Sequence, residues 1–496
     1  MASLLLAFLF PSATWIQAAG CALLLLFFNL LILPWLDLDV TEETALSPGE
    51  RVASVASRVR GFLLRLTTLI PPRPASDPSP GPRRLVKAPV AGHPLPSGEG
   101  ENSIPSCLTG EKARTGILLY PISVLALILI YRNHLHVAAA AWAVMALGDG
   151  MATVAGEALV GPALPWNRRK TWPGFISFVV AGTVGAYILT RWTASKISPG
   201  KTLIVCAAAA LLGAVVESLP LALDDNITVP LVVGAFLFCA FLVERSALDS
   251  NLPFLGRRIL LAIPVSLVLA LLAWALKAAS RSGAICGFLL GTAIYLGYGY
   301  KSFLLLFAFV LLGSAATRLG FAKKAARGVA ERRGGARSWR EALANLLAAA
   351  FFAILVITTH HEAACLIALV AALAEAAGDT VSSEIGQWAS DRAYLITTFK
   401  PVPAGEDGGV SLAGTAAGFA ASTIIMGLGL GLGLCGPYRF AGPAIALAAA
   451  AVGNLFDSFL GATIQRRGLL TNGKVNFAGT SIAGGLALGL ALHLGL

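Results

Sequence analysis

Four aspartates stand in an otherwise apolar chain. Asp149 lies in Leu147-Gly148-Asp149-Gly150-Met151-Ala152 and Asp225 in Leu223-Asp224-Asp225-Asn226. Asp379 lies in Glu375-Ala376-Ala377-Gly378-Asp379-Thr380 and Asp457 in Gly453-Asn454-Leu455-Phe456-Asp457-Ser458. An ionised carboxylate beside a long apolar run is costly unless cations or a metal neutralise it, which makes each a candidate site residue. Glycines beside Asp149 and Asp379 allow a phosphate, a metal or another backbone to come close. Basic and amide residues accompany them: Arg168-Arg169-Lys170-Thr171 and Asn226 in the first half, and Lys323, Lys324, Arg337, Arg340, Asn345, Lys400 and Asn476 in the second. Carboxylates with cations, amides and a hydroxyl form a donor set suited to Mg²⁺-assisted phosphoryl transfer from a nucleotide. On that chemistry Asp149, Asp225, Asp379 and Asp457 are the candidate catalytic residues. Asp149, Glu217, Asp224, Asp379, Glu384 and Asp457 are the candidate Mg²⁺ ligands. Arg169, Lys170, Thr171, Asn226, Lys323, Lys324, Arg337, Asn345, Lys400 and Asn476 are the candidate contacts to the nucleotide and its phosphates. Asp379 and Glu384 would point about 140° apart on one continuing helix, so they share a ligand only if the helix breaks between them.

The elements that must hold these residues are membrane helices. Of the 496 residues 56% are apolar and 13% charged, and mean hydropathy is +0.77. Those values exclude a water-soluble globular protein, a disordered chain and a disulfide scaffold. The expected fold class is all-α: a polytopic transmembrane helical protein of about 12–16 spans in two helical-bundle halves. Spans are expected near 15–36, 116–132, 135–156, 174–191, 202–222, 227–244, 259–278, 283–299, 302–318, 341–359, 362–377, 411–434, 440–456 and 478–496. The first, lacking a basic region before it, is expected to stay as a helix rather than be cleaved. Residues 37–111 are rich in Pro, Ser, Gly and Arg and are expected to be a largely disordered loop. Within it Arg51, Arg58 and Arg65 repeat every seven residues among Val52, Val55, Val59 and Phe62, the pattern of a helix lying on a membrane surface.

With these spans one side of the membrane receives 28 of the 37 Lys and Arg. By the positive-inside rule that side is cytoplasmic, and every polar cluster above falls on or beside it. The net charge of +11 therefore reports topology rather than nucleic-acid binding. The expected location is an integral membrane, the plasma or inner membrane in a bacterium, with the sites facing the cytoplasm.

Several motifs carry less. His360-His361 lacks metal-ligand spacing, and no two of the seven cysteines form a C-x-x-C pair. Ser195-Lys196-Ile197-Ser198-Pro199-Gly200-Lys201-Thr202 imitates a P-loop but lacks its first glycine and a preceding strand. The glycines from Gly427 to Gly436 fit close helix packing.

Two family resemblances follow from the motifs. Leu147-Gly148-Asp149-Gly150-Met151-Ala152, Trp166-Asn167 through Lys170-Thr171-Trp172-Pro173-Gly174, Val216-Glu217, and Asp224-Asp225-Asn226 through Pro230 resemble the phytol kinase and dolichol kinase family, itself related to phosphatidate cytidylyltransferases. Gly116-Ile117-Leu118-Leu119-Tyr120-Pro121 fits the same pattern, and the likeness covers about residues 112–245. The Arg-Lys-x-x-His segment that many members carry is absent. Gly334-Gly335-Ala336-Arg337-Ser338-Trp339, Gly378-Asp379-Thr380 with Ser383-Glu384-Ile385-Gly386, and Asp457-Ser458 with Gly461-Ala462 resemble the phytyl-phosphate kinase family from about Ser280 onward. There Glu406 stands where members more often have Thr. The resemblances imply domains at 1–36 (first helix), 37–111 (loop), 112–258 (prenol kinase-like) and 259–496 (prenyl-phosphate kinase-like). They imply a bifunctional membrane kinase that converts an isoprenoid alcohol such as phytol or geranylgeraniol to its monophosphate and then its diphosphate. CTP or another nucleoside triphosphate would be donor and Mg²⁺ the cofactor. Rival readings are a lipid cytidylyltransferase and a lipid-phosphate transporter or flippase. Each half also has a helix ending in Gly-Asp and a later acid-Ser pair, which fits a distant duplication.

Overall fold

The computed structural model describes residues 18–20, 22–23, 107–159, 161–220, 223–330, 332–437 and 440–496. The expected surface helix at 51–66, the Pro-rich loop and most of the expected first span lie outside the described residues. Among the described residues 11 helices are long and apolar enough to cross a membrane. The fold is all-α and polytopic, with two small antiparallel sheets in its loops.

The chain divides into two compact units, and the division falls inside one helix at Gly234/Ala235. The first unit contains α1 (Cys107–Ile130), α2 (Leu135–Ala143), a π-helical turn (Val144–Asp149) and α3 (Gly150–Ala158). Then come a hairpin of β1 (Ala163–Leu164) and β2 (Asn167–Thr171), α4 (Trp172–Thr193), α5 (Pro199–Ser218) and the start of α6 (Asp225–Leu242). Helix starts follow their caps: the Thr171 hydroxyl accepts from Gly174 N with Pro173 in the first turn, and Ser198 does the same for α5 from Lys201 N. The sequence gives no warning of the π turn. It puts one extra residue into the helix immediately before Asp149, a distortion often found at functional sites.

The second unit contains α7 (Arg245–Ala275), α8 (Arg281–Tyr298), α9 (Tyr300–Arg318), the short α10 (Phe321–Ala326), α11 (Trp339–Thr358) and α12 (Glu362–Ala389). After a three-stranded sheet of β3 (Arg392–Leu395), β4 (Pro401–Pro403) and β5 (Gly409–Val410), in the order β4-β3-β5, come α13 (Leu412–Gly431), α14 (Ala441–Leu460), a second π turn (Gly461–Gln465) and α15 (Asn472–His493). A capping box between Ser338 and Glu341 starts α11, and Ser411 caps α13. The peripheral α7 is 11% buried over its most apolar window, whereas α12 is 94% buried. Apolar α7 side chains such as Leu260, at 74% exposure, face outward, as they can toward lipid.

α12 differs from expectation. The span was expected to stop near 377, with Gly378 and Asp379 opening a loop, but the helix runs on to Ala389. It continues where neighbouring helices give Asp379 and Glu384, beyond the expected end, a partner each. Ser422 Oγ donates to Ala374 O at 2.8 Å, Asn476 Nδ2 to Asp379 Oδ2 at 3.1 Å, and Lys324 Nζ to Glu384 Oε2 at 2.5 Å.

Candidate functional sites

In the first unit the cluster assembles where helix ends meet the β1–β2 hairpin. Lys170 on β2 forms an ion pair and hydrogen bond with Glu217 near the end of α5, whose carboxylate is 5% exposed. Two further bonds hold the hairpin against that end: Asn167 Nδ2 donates to Ser218 O and Trp166 Nε1 to Ser218 Oγ, both at 3.1 Å. Asp149 on the π turn and Asp225 at the start of α6 lie within electrostatic reach of Lys170. Burial alone would lower the Lys170 pKa. The Glu217 hydrogen bond and the charges of Glu217, Asp225 and Asp149 outweigh it and hold the ammonium above the ordinary lysine range. Asp224 Oδ1 accepts from both the backbone N and Nδ2 of Asn226, at 2.9 and 2.8 Å. The candidates Asp149, Lys170, Glu217, Asp224 and Asp225 therefore share one neighbourhood.

Three first-unit candidates take other work. Thr171 caps α4 through the Gly174 bond at 3.4 Å. The side-chain amide of Asn226 is committed to Asp224. Arg169 is exposed on the hairpin, leaving Lys170 as the cation turned into the cluster.

In the second unit the cluster sits deeper, on four helices. Asp379 (α12) accepts from Asn476 (α15), whose Nδ2 also donates to Asn345 Oδ1 (α11) at 3.3 Å. Asp457 (α14) lies within electrostatic reach of Asp379, as does the Arg337 guanidinium just before α11. Glu375 was not among the sequence candidates, yet it completes this group, one helical turn before Asp379 on the same face. It is 1% exposed, and neither of its carboxylate oxygens has a hydrogen-bond partner. Asp457 Oδ2 and Asn476 Oδ1 are likewise buried and unpartnered. Gly479 and Gly453 make room for the Glu375 side chain: a Cβ on Gly479 would lie 2.4 Å from Glu375 Oε1, and one on Gly453 2.8 Å from its Cγ. The available signal was an acid inside an alanine-rich apolar run.

Four candidates do not join this cluster. Lys324 is fully buried, and its ammonium donates to Ala316 O at 3.1 Å, Thr317 O at 2.9 Å and Glu384 Oε2 at 2.5 Å. All three of its protons are used, which corrects the expectation that it contacts phosphate. Glu384 is correspondingly corrected as a partner of Asp379: the unbroken helix turns it away and toward Lys324. Lys323 and Lys400 are exposed, Lys400 on the turn between β3 and β4. Glu406 pairs with Arg466 at 3.3 Å, so its charge is matched locally. Next to it Gln465 Nε2 donates to Asp407 Oδ1 at 2.9 Å, tying the 404–409 loop to the π turn that follows Asp457. Burial lifts the Asp407 pKa and Glu406 adds to it, against the Gln465 bond and the Arg466 charge.

Among the described residues no three His, Cys, Asp or Glu side chains are arranged to enclose a metal ion. Mg²⁺ seldom uses such a cage. It is held by one or two carboxylates together with waters and substrate phosphates. The unpartnered oxygens of Glu375 and Asp457 beside Asp379 fit that mode.

Comparison with known proteins gives the family. The integral membrane protein family DUF92 matches residues 264–484. An uncharacterised membrane protein of Synechocystis is 35% identical over 204 residues, 40% of this chain and 78% of that protein. The chain belongs to the DUF92 family. Protein VTE6 of Arabidopsis thaliana, a chloroplast protein, is 37% identical over 216 residues, 42% of this chain and 64% of its own length. Phytol kinase 1 of Arabidopsis thaliana is 31% identical over 135 residues, 26% of this chain and 44% of that enzyme. The chain thus spans less than two thirds of either Arabidopsis protein. No solved structure matches. The DUF92 match lies within the second unit and includes Glu375, Asp379, Asp457 and Asn476.

Proposed function

We propose that this DUF92 protein is a membrane phosphotransferase acting on isoprenoid lipids, with its second unit phosphorylating a prenyl monophosphate. The observation that carries the proposal is the group of buried, unpartnered carboxylate oxygens on Glu375 and Asp457 beside Asp379, with Arg337 and two asparagines around them. Such a group is unfavourable by itself and becomes favourable when it meets a cation carrying phosphates. A phytol kinase among the relatives supports the reaction class.

Asp379 and Asp457 would hold Mg²⁺, with Glu375 adding negative charge beside them, and the ion when bound would offset the charge of the donor's phosphates. Arg337 faces Asp379 and would take an anionic phosphate of the acceptor. Asn476 holds the Asp379 carboxylate in place through its 3.1 Å bond and ties it to Asn345. The acceptor is already an oxyanion, so no general base is required. Its oxygen bonds to the terminal phosphorus of a nucleoside triphosphate while the bond from that phosphorus to the bridging oxygen breaks, and the nucleoside diphosphate leaves.

The first unit would act on the free alcohol. That nucleophile must lose a proton, and Asp149 or Asp225 is placed to accept it while Lys170 neutralises phosphate charge. CTP as donor, the order of the two steps and a cytoplasmic setting for both sites are part of the same proposal. Purified protein in detergent with Mg²⁺ and γ-labelled CTP should label the diphosphate made from phytyl or geranylgeranyl monophosphate. Transfer of CMP instead would mean a cytidylyltransferase. Intact CTP with lipid-phosphate movement across vesicles would mean a transporter.

A further inference from the structure

We propose that a cavity between α7, α8, α9 and α11 seats the isoprenoid tail of the second unit's substrate, and that Gly287 limits the tail it accepts. The inference rests on the reading above. One end of the cavity is polar, lined by Arg337, Glu341 and Asn345. Through Asn345 this end joins the hydrogen-bond chain to Asn476 and Asp379. Apart from Ser266 and Ser314 the rest of the wall is apolar, with Leu269 and Ala273 from α7, Ala284 and Gly287 from α8, and Leu306 and Phe309 from α9. About 110 Å³ of the cavity is open to the centre of a water-sized sphere, within about 800 Å³ of non-atom space that includes open solvent. Along α7 the lining runs from Ala273 to Ser266, a rise of about 10 Å, and continues through Ala278 and Ala279 in the turn that follows.

A mouth that offers the Arg337 guanidinium and the Asn345 amide and opens into a largely apolar gallery matches an amphiphile with a single phosphate at one end. Backbone bonds fix the mouth: Arg337 N donates to Ala278 O, and Ser280 N donates to Arg337 O, both at 2.9 Å. Arg337 is thereby tied to the start of α8, whose next turns wall the gallery.

A tail leaving lipid for this gallery gains little hydrophobic free energy, because lipid chains are as apolar as the wall. Fit must then come from shape, and shape is set where the wall has no side chain. A Cβ on Gly287 would meet nothing within 4 Å, so a larger side chain there can enter the cavity without displacing the protein. Gly283, one turn earlier, is different: its Cβ would lie 2.1 Å from Arg337 O.

The test is a graded series, Gly287→Ala, Gly287→Leu and Gly287→Trp, with Gly427→Trp on α13, another glycine with open space around it, as control. For each full-length variant kcat/KM is measured with geranyl, farnesyl, geranylgeranyl and phytyl monophosphate, and thermal stability is recorded in parallel. The ratio for the longest over the shortest acceptor should fall with side-chain size, reaching about tenfold for the largest folded variant, while Gly427→Trp leaves it unchanged. An unchanged ratio in a folded, active Gly287→Leu overturns the proposal. Binding gives a readout without turnover: a benzophenone-tagged geranylgeranyl monophosphate should crosslink to α8 or α9, less so in Gly287→Leu. Crosslinks confined to other helices, or a copurifying phospholipid that prenyl monophosphate does not displace, overturn it. No labelled diphosphate from any monophosphate in the parent protein, with crosslinking to α8 or α9 intact, would sink the kinase reading and leave the tail site standing.

Discussion

The two acidic clusters solve opposite problems. In the first unit the carboxylates gather at helix ends beside a hairpin, and the unit supplies its own cation: Lys170 binds Glu217 and faces Asp149 and Asp225. In the second unit Glu375 and Asp379 project from a helix that is 94% buried, and the one buried lysine nearby is committed to Glu384. The first cluster ties one of its four carboxylates directly to its own lysine, whereas the second leaves carboxylate oxygens on Glu375 and Asp457 with no partner. The number of basic residues near an acid in sequence is therefore a poor guide to whether a site lacks positive charge. What matters is which ammonium or guanidinium reaches which carboxylate.

That contrast can be broken by substitution. The largest expected effects are catalytic. Asp379→Asn and Asp457→Asn should each cut labelling of prenyl monophosphate by about 10²–10³-fold while leaving alcohol phosphorylation intact, and Asp149→Asn should do the reverse, as lipid-product chromatography would record. If one variant stopped both steps, separate sites would be the wrong description. Next comes stability. Lys324→Met strands Glu384 in the bundle and should lower stability by about 3–5 kcal/mol, read as a large drop in detergent melting temperature. Pairing it with Glu384→Leu should recover much of that loss, because the buried charge is then gone. Glu375→Gln keeps the shape and removes the charge. It should raise the Mg²⁺ concentration needed for half-maximal second-step activity by about 10–100-fold, measured by metal titration.

A smaller effect separates the first unit. Its lysine pKa is raised, so the Lys170–Glu217 pair is intact at neutral pH and is lost only as pH climbs through that raised value. Lys170→Gln should slow the alcohol step at every pH from about 6 to 9, well below the ordinary lysine pKa of about 10.4, without changing the second step. The smallest effect belongs to Glu406→Thr. Its partner Arg466 is 42% exposed, so the loss should stay within about 1 kcal/mol, and a melting curve indistinguishable from the parent's is the expected result.

Helix existence was legible because apolar runs of membrane length have few alternatives. The expected spans 135–156 and 341–359 correspond to Leu135–Ala158 and Trp339–Thr358. The end of α12 was not legible. Gly378-Asp379 looks like a helix stop, and only the partners Asn476 and Lys324, far away in sequence, allow it to continue. The same long-range pairing reassigned Lys324 and Glu384. Glu375 could have been found, since an acid four residues before Asp379 lies on the same helical face. The three-stranded sheet at 392–410 had no signal to offer, because its strands are two to four residues long and two of its positions are prolines.

The acids of α12 also bear on how the chain enters its membrane. A helix carrying Glu375, Asp379 and Glu384 meets an insertion penalty of about 2.5–3.5 kcal/mol for an aspartate at mid-bilayer, only partly offset by its leucines and alanines. The side chains that answer Asp379 and Glu384 lie on both sides of it in the chain: Lys324 is made earlier, Asn476 near the end of synthesis. Integration of this helix is therefore a folding step as much as a translocation step. A nascent chain that has not yet exposed α15 holds an incompletely matched central helix, which is the form that membrane quality-control proteases would meet first.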